Sequence, residues 1–213
     1  MKELNRILAE NFECFINKSY RGVHEQTLLG QLTGGQLRKF SGETQEEAMR
    51  RLIEDVCYFN GLKYGDFELV KGDIKNAGVV VTNPGGSVNI GVDWHLYIYN
   101  KLVLVNECKS YLDAAFLSRA YAYINMIKQH EGNEDVKSIV TALESAVDQN
   151  TLNFYMYNDV IDRCYFFTAG KRLSVKPLYL KENWRPLNTH TVISMVSFID
   201  GVVKENIEKY ARA

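Results

Sequence analysis

Between Ile90 and Glu107 the chain carries two runs of apolar, β-branched and aromatic residues with Asn100-Lys101 between them. Such a pattern predicts a buried β-hairpin, because these side chains suit a pleated surface covered by neighbours. If Tyr99-Asn100-Lys101 form a three-residue loop, Ile98 faces Leu102, Leu96 faces Leu104, and Asp93 falls opposite Glu107. A two-residue loop would shift the pairing by one and send Asp93 to the other side of the sheet.

The flanking segments alternate between helical and extended spacing. Leu4, Ile7, Leu8, Phe12, Phe15 and Ile16 recur as on one helix face, and Gly30 to Gly42 then reads as a loop. Ser41 or Thr44 caps a second helix, with Ala48, Met49, Leu52, Ile53, Val56 and Cys57 on its apolar side, ending near Asn60-Gly61. Phe67 to Val70 and Val79 to Thr82 are short strands set off by turn-like residues. After the hairpin come a helix from Leu112 to His130, a strand from Val136 to Leu143, a helix from Val147 to Tyr157 and a strand from Cys164 to Thr168. A helix from Thr191 onward, with Val192, Met195, Val196, Ile199, Val202 and Val203, completes the order. The expectation is one α/β domain spanning residues 1–213, a central mixed sheet flanked by helices, with a core at about 43–170 and a helix appended at each end.

An acidic residue two positions before lysine occurs three times, at Asp73-Ile74-Lys75, Glu107-Cys108-Lys109 and Asp135-Val136-Lys137. The first and third adjoin Gly-containing turns and read as solvated edges. Only Glu107 and Lys109 end an apolar strand, Leu102-Val103-Leu104-Val105, where alternate side chains share a face. Charge beside such a run is costly unless it is paired or binds a metal. Two carboxylates across a hairpin, Asp93 and Glu107, likewise repel unless a cation or a shared proton lies between them. Oxygen ligands with room for water and phosphate suit Mg²⁺, with Mn²⁺ substituting, and such an ion supports phosphodiester hydrolysis with Lys109 orienting water or offsetting phosphate charge. The competing reading is an ordinary ion-pair cluster at a strand end.

Helix, hairpin with Asp93 on its first strand and Glu107-Cys108-Lys109 on its second, then helix and strand, resembles the core of the PD-(D/E)XK nucleases, type II restriction endonucleases especially. The resemblance covers roughly Gln45 to Leu143, and Val92 stands where the family name has proline. It implies Asp93 and Glu107 as metal ligands, the Cys108 backbone carbonyl as a further ligand, and Lys109 as the catalytic lysine. Members often add a helix carboxylate before the hairpin. Glu46, at the border of the apolar stripe, is the choice here, against the alternative that it merely complements the helix dipole. For DNA contact, Arg38, Lys39, Arg119, Lys171 and Arg172 lie on loops or near the hairpin, and Ser110 and Tyr111 follow Lys109 directly. His95, on the face of Asp93, is expected to pack beside the site.

With 25 basic and 26 acidic residues the chain lacks the positive excess of a protein that grips nucleic acid indiscriminately. Cys14, Cys57, Cys108 and Cys164 are widely spaced in apolar segments and read as reduced core thiols, not as a zinc site. No long apolar run is present, and the N-terminus leads into an acidic amphipathic stretch, so a soluble cytoplasmic protein without membrane contact is expected. The functional expectation is a Mg²⁺-dependent, sequence-specific endonuclease of double-stranded DNA, acting as a homodimer matched to a two-fold site. The resemblance also implies a companion DNA methyltransferase. The alternatives are a structure-selective or repair nuclease of the same fold, and a noncatalytic DNA-binding module.

Overall fold

The computed structural model describes residues 2–28, 34–72, 79–83, 85–130, 132–168 and 187–210. Two long helices come first, α1 (Lys2–Leu28) and α2 (Gly34–Phe59). Five strands follow: β1 (Phe67–Lys71), β2 (Val79–Asn83), β3 (Gly86–Ile90), β4 (Trp94–Ile98) and β5 (Lys101–Leu112). Then come α3 (Ala114–Lys128), β6 (Lys137–Ser145), α4 (Gln149–Met156), β7 (Arg163–Phe166) and α5 (Thr189–Tyr210). The main sheet has the order β1-β4-β5-β6-β7, antiparallel from β1 to β5 and parallel from β5 to β7, while β2 and β3 form a separate antiparallel ribbon.

Strand β5 is the centre of this sheet, and every residue from Val103 to Cys108 is buried. Strand β6 is buried from Ser138 to Glu144, as expected of a parallel strand covered on both faces. On one side Trp94, Leu96, Leu104, Cys108 and Ile139 meet the apolar stripes of α1, α2 and α5, including Phe12, Met49, Ile53, Val196 and Ile199. On the other, Val105, Val140 and Ala142 meet Leu117, Ala120, Ile124 and Ile127 of α3. The predicted α/β architecture, a mixed sheet with helices on both faces, is the one observed. Asp113 and Asp148 cap α3 and α4, their carboxylates accepting from the backbone N–H groups of Phe116 and Thr151. Among the described residues no helix is long and apolar enough to cross a membrane.

The hairpin departs from the expected register in one place and is restored in another. Ile98 pairs with Lys101, not Leu102, so the loop is the two-residue Tyr99-Asn100, both at positive φ (49° and 62°) as a type I′ turn requires. That turn alone would displace Asp93 by one residue. A β-bulge then places Val103 as an extra residue on β5: Tyr97 pairs with Leu102, and Leu96 with Leu104. Beyond the bulge Trp94 pairs with Asn106, and Asp93 and Glu107 are next in line.

Other expectations are corrected at element edges. Helix α2 begins at Gly34 instead of Ser41 or Thr44, taking residues 34–42 out of the expected loop; the cost of glycine in a helix, about 1 kcal/mol each, is small against the packing of α1 along α2. Ile90 belongs to β3, opposite Val79, not to the β4–β5 hairpin. Cys14 is exposed and Cys164 half-buried, whereas Cys57 and Cys108 are core thiols as read. Residues 29–33, the Asp73-Ile74-Lys75 copy, and the turn carrying Lys171 and Arg172 lie outside the described residues.

His95 packs in the sheet with 1% of its surface exposed, and burial, only partly offset by the Val70 backbone and the Asp93 charge, pushes its imidazole down to about 4. The unfolded chain takes up this proton near 6.5, so the neutral ring's contribution to stability is complete above about 6.5 and is lost as pH falls toward about 4. Thermal unfolding followed across this window is expected to record a loss of roughly 3 kcal/mol from this group. The variant His95→Leu, which cannot titrate, should remove that part of the slope.

Candidate active site

At the end of the hairpin, three charged side chains and one backbone carbonyl converge. The Lys109 ammonium lies 2.6 Å from Glu107 Oε1, donates to the Cys108 carbonyl oxygen at 2.9 Å and reaches Asp93 Oδ2 at 3.4 Å. Asp93 Oδ2 also accepts from the Cys108 backbone N–H at 2.6 Å, tying the first residues of the hairpin to its second strand. Glu107 is 6% exposed, while the side chains of Asp93 and Lys109 keep about a fifth of their surface open. Alternation along β5 accounts for the grouping: Glu107 and Lys109 follow Val105 onto the α3 side, whereas Asn106 and Cys108 face α2.

The electrostatics follow from burial. Burial lifts the Glu107 carboxyl above the usual carboxylate range and the Asp93 charge lifts it further, with Lys109 pulling the other way. Burial acts downward on the Lys109 ammonium, but the Glu107 and Asp93 carboxylates outweigh it and hold the group above the ordinary lysine range. An ion cluster this enclosed contributes little net stability, yet removing one partner leaves uncompensated charge at a cost of about 3–5 kcal/mol.

Glu46 stands differently. Its carboxylate meets Lys71 Nζ at 2.6 Å, and its backbone carbonyl accepts from the Trp94 indole N–H at 3.0 Å. Lys71 pairs with Trp94 in the β1–β4 register, so this contact belongs to the α2 side of the sheet. Among the described residues no three His, Cys, Asp or Glu side chains are grouped to hold a metal; the Glu46 charge is nevertheless felt at Cys108. The third motif copy is on the surface, with Asp135 paired to Lys209 at 2.8 Å.

Of the residues named for DNA contact, Ser110 and Tyr111 continue β5 beyond Lys109 and are half-buried. Lys39 is exposed and 3.7 Å from Glu43, and the Arg119 guanidinium lies over the Phe116 ring on α3. The side chain of Arg38, like Lys171 and Arg172, lies outside what the structure describes.

Two features escaped the sequence reading. A buried polar group, Gln45, Asn106 and Thr141, backs the site from the α2 side: Gln45 Nε2 and Thr141 Oγ1 are 3.5 Å apart, and Thr141 Oγ1 reaches Asn106 Oδ1 and the Glu107 carbonyl oxygen at 3.4 Å. Parallel pairing of β5 with β6 brings Thr141 there, which no local pattern announces. The second is Gly72, whose N–H donates to the Asp93 carbonyl oxygen at 3.1 Å.

The fold and the site define an α/β protein with a mixed sheet between helices, in the order helix, hairpin, helix, strand, and with an acidic pair and a lysine at the hairpin's end. Its structure is similar to that of NucC from P. aeruginosa ATCC27853 in the cAAA-bound form, at a TM-score of 0.49 and 9% identity over 95% of this chain and 91% of that one. It is also similar to the native BbvCI A2B2 tetramer, at a TM-score of 0.41 and 12% identity over 95% of this chain and 88% of that one. Comparison of the sequence with protein-family models and with curated proteins finds no match.

A Cβ at Gly72 would fall 1.8 Å from the Val92 carbonyl oxygen and 3.0 Å from the His95 ring. Backbone cannot yield as a flexible side chain can, so Gly72→Ala is expected to displace Val92 and Asp93 and to lower stability by about 1–3 kcal/mol. Denaturant unfolding measures the loss. The amide resonance of Cys108, which Asp93 holds, should shift more than those of β7.

Proposed function

We propose that this chain is a divalent-metal-dependent endonuclease that hydrolyses phosphodiester bonds of double-stranded DNA. The observation that carries the reading is the convergence of Asp93 Oδ2, Glu107 Oε1 and the Cys108 carbonyl oxygen on a single cation, the Lys109 ammonium. These three oxygens suit a hard cation: Mg²⁺ is commonly held by one or two carboxylates while keeping several waters, so a larger carboxylate cluster is not required. Asp93, Glu107 and the Cys108 carbonyl would hold Mg²⁺, with Mn²⁺ as substitute. When bound, the ion supplies Lewis-acid polarisation of a phosphoryl oxygen and water made acidic enough to attack.

The chain's own residues supply the rest. Asp93 and Glu107 place negative charge in a largely buried corner, where it acts more strongly than in water. The bond from the Cys108 N–H to Asp93 keeps that carboxylate on β5, and Trp94, anchored to the Glu46 carbonyl, fixes β4 against α2 immediately beside it. Lys109 is long and cationic, with about a fifth of its side chain exposed, and is suited to balancing charge that builds on a phosphate during displacement. Near-neutral net charge favours site selection over indiscriminate grip, and a homodimer would match a two-fold recognition site. On this reading the enzyme is a type II restriction endonuclease, and an adjacent DNA methyltransferase would protect the host.

Incubation with phage DNA and Mg²⁺ is expected to give discrete fragments on a gel and none with chelator. A smear would point to a nonspecific enzyme and cleavage of branched substrates alone to a structure-selective one. The near-isosteric changes Asp93→Asn and Glu107→Gln should each lower the cleavage rate by about 10²-fold or more while circular dichroism stays as in the wild type. Undiminished cleavage by either variant would remove the site assignment.

A further inference from the structure

The Lys109 ammonium touches each of the three oxygens assigned above to the metal. A divalent ion held by those oxygens would draw on the same lone pairs that the ammonium engages in the structure. The two cations contend for one set of acceptors. We propose that Lys109 and the divalent ion compete for one site, so that metal binding requires the ammonium to withdraw from Glu107 Oε1 and the Cys108 carbonyl. The inference rests on the nuclease reading and adds to it a second role for Lys109, as an internal counter-ion that the metal must displace.

Three observations make the exchange physically reasonable. Without a cation between them, Asp93 and Glu107 would face each other in a largely buried corner, and the lysine offsets part of that repulsion. The Lys109 side chain is not sealed in, since about a fifth of it is exposed, and its four-carbon stem gives the ammonium somewhere to swing. The neighbouring cation, Lys71, is engaged elsewhere: it is held by Glu46 at 2.6 Å and feels Asp93 only as a more distant charge. Lys71 therefore serves as a control for positive charge near the site that does not occupy it.

Calorimetric titration of Mn²⁺ into the wild type, Lys109→Met and Lys71→Met separates these roles, with folding of each checked by circular dichroism. Losing the competing charge-assisted hydrogen bonds should tighten Mn²⁺ binding to Lys109→Met by about tenfold or more. Lys71→Met, which removes a mostly exposed charge, should change it by no more than about threefold. Equal affinity in the wild type and Lys109→Met, or an equal gain in Lys71→Met, would overturn the competition while leaving a metal site in place. Absence of Mn²⁺ binding in every protein would overturn the metal reading and the competition together. A measurement on the wild type decides the matter even where Lys109→Met does not fold: Mn²⁺ should raise the acetylation of Lys109 detected by mass spectrometry, and unchanged or reduced labelling would overturn the proposal.

Discussion

The antiparallel pairing of β4 with β5 is the contact on which both the sheet and the site depend. Strand β5 joins an antiparallel half of the sheet to a parallel half, and its alternation decides which side chains enter each of the two cores. Because the side-chain period is two, a slip of one residue would exchange Val105, Glu107 and Lys109 with Leu104, Asn106 and Cys108. Charge would then enter the packed interface with α2. The two-residue turn at Tyr99-Asn100 introduces such a slip, and the bulge at Val103 cancels it before Asp93 and Glu107 are reached.

From this pairing the site is assembled by backbone as much as by side chains. Gly72 passes close enough to Val92 that no larger residue fits, and its N–H bonds to the Asp93 carbonyl oxygen, while the Asp93 carboxylate accepts from the Cys108 N–H. Asp93 is thus held at both its backbone and its side chain. On the opposite face Gln45, Asn106 and Thr141 form a buried polar layer beneath the same stretch of β5. Burial on this scale raises the cost of each charge and favours a cation or a shared proton between Asp93 and Glu107. In the structure Lys109 is that cation, which ties the stability of the corner to the chemistry proposed for it.

The functional reading stands on the local geometry of the hairpin: charge, burial and three converging oxygens. Glu46, on α2, reaches the α2 side of the sheet and pairs with Lys71 there.

Much of this was legible in order. The hairpin, the amphipathic stripes of α3 and α5, the short strands around them and the choice of Glu107-Cys108-Lys109 over its two near-copies follow from periodicity and from the cost of placing charge beside an apolar run. The edges were not: the start of α2 at Gly34 depends on packing against α1, and the pairing of Ile90 with Val79 depends on a contact that neither run specifies alone. The loop length at Tyr99-Asn100 was misread, yet Asp93, Glu107 and Lys109 came together, because an error in the turn was offset by a bulge that leaves no mark in composition. By itself the sequence determined which residues could carry charge at the end of a buried strand. Only the tertiary structure decided their face and their partners, since register, bulge and parallel neighbour are properties of strands in contact and not of any one strand.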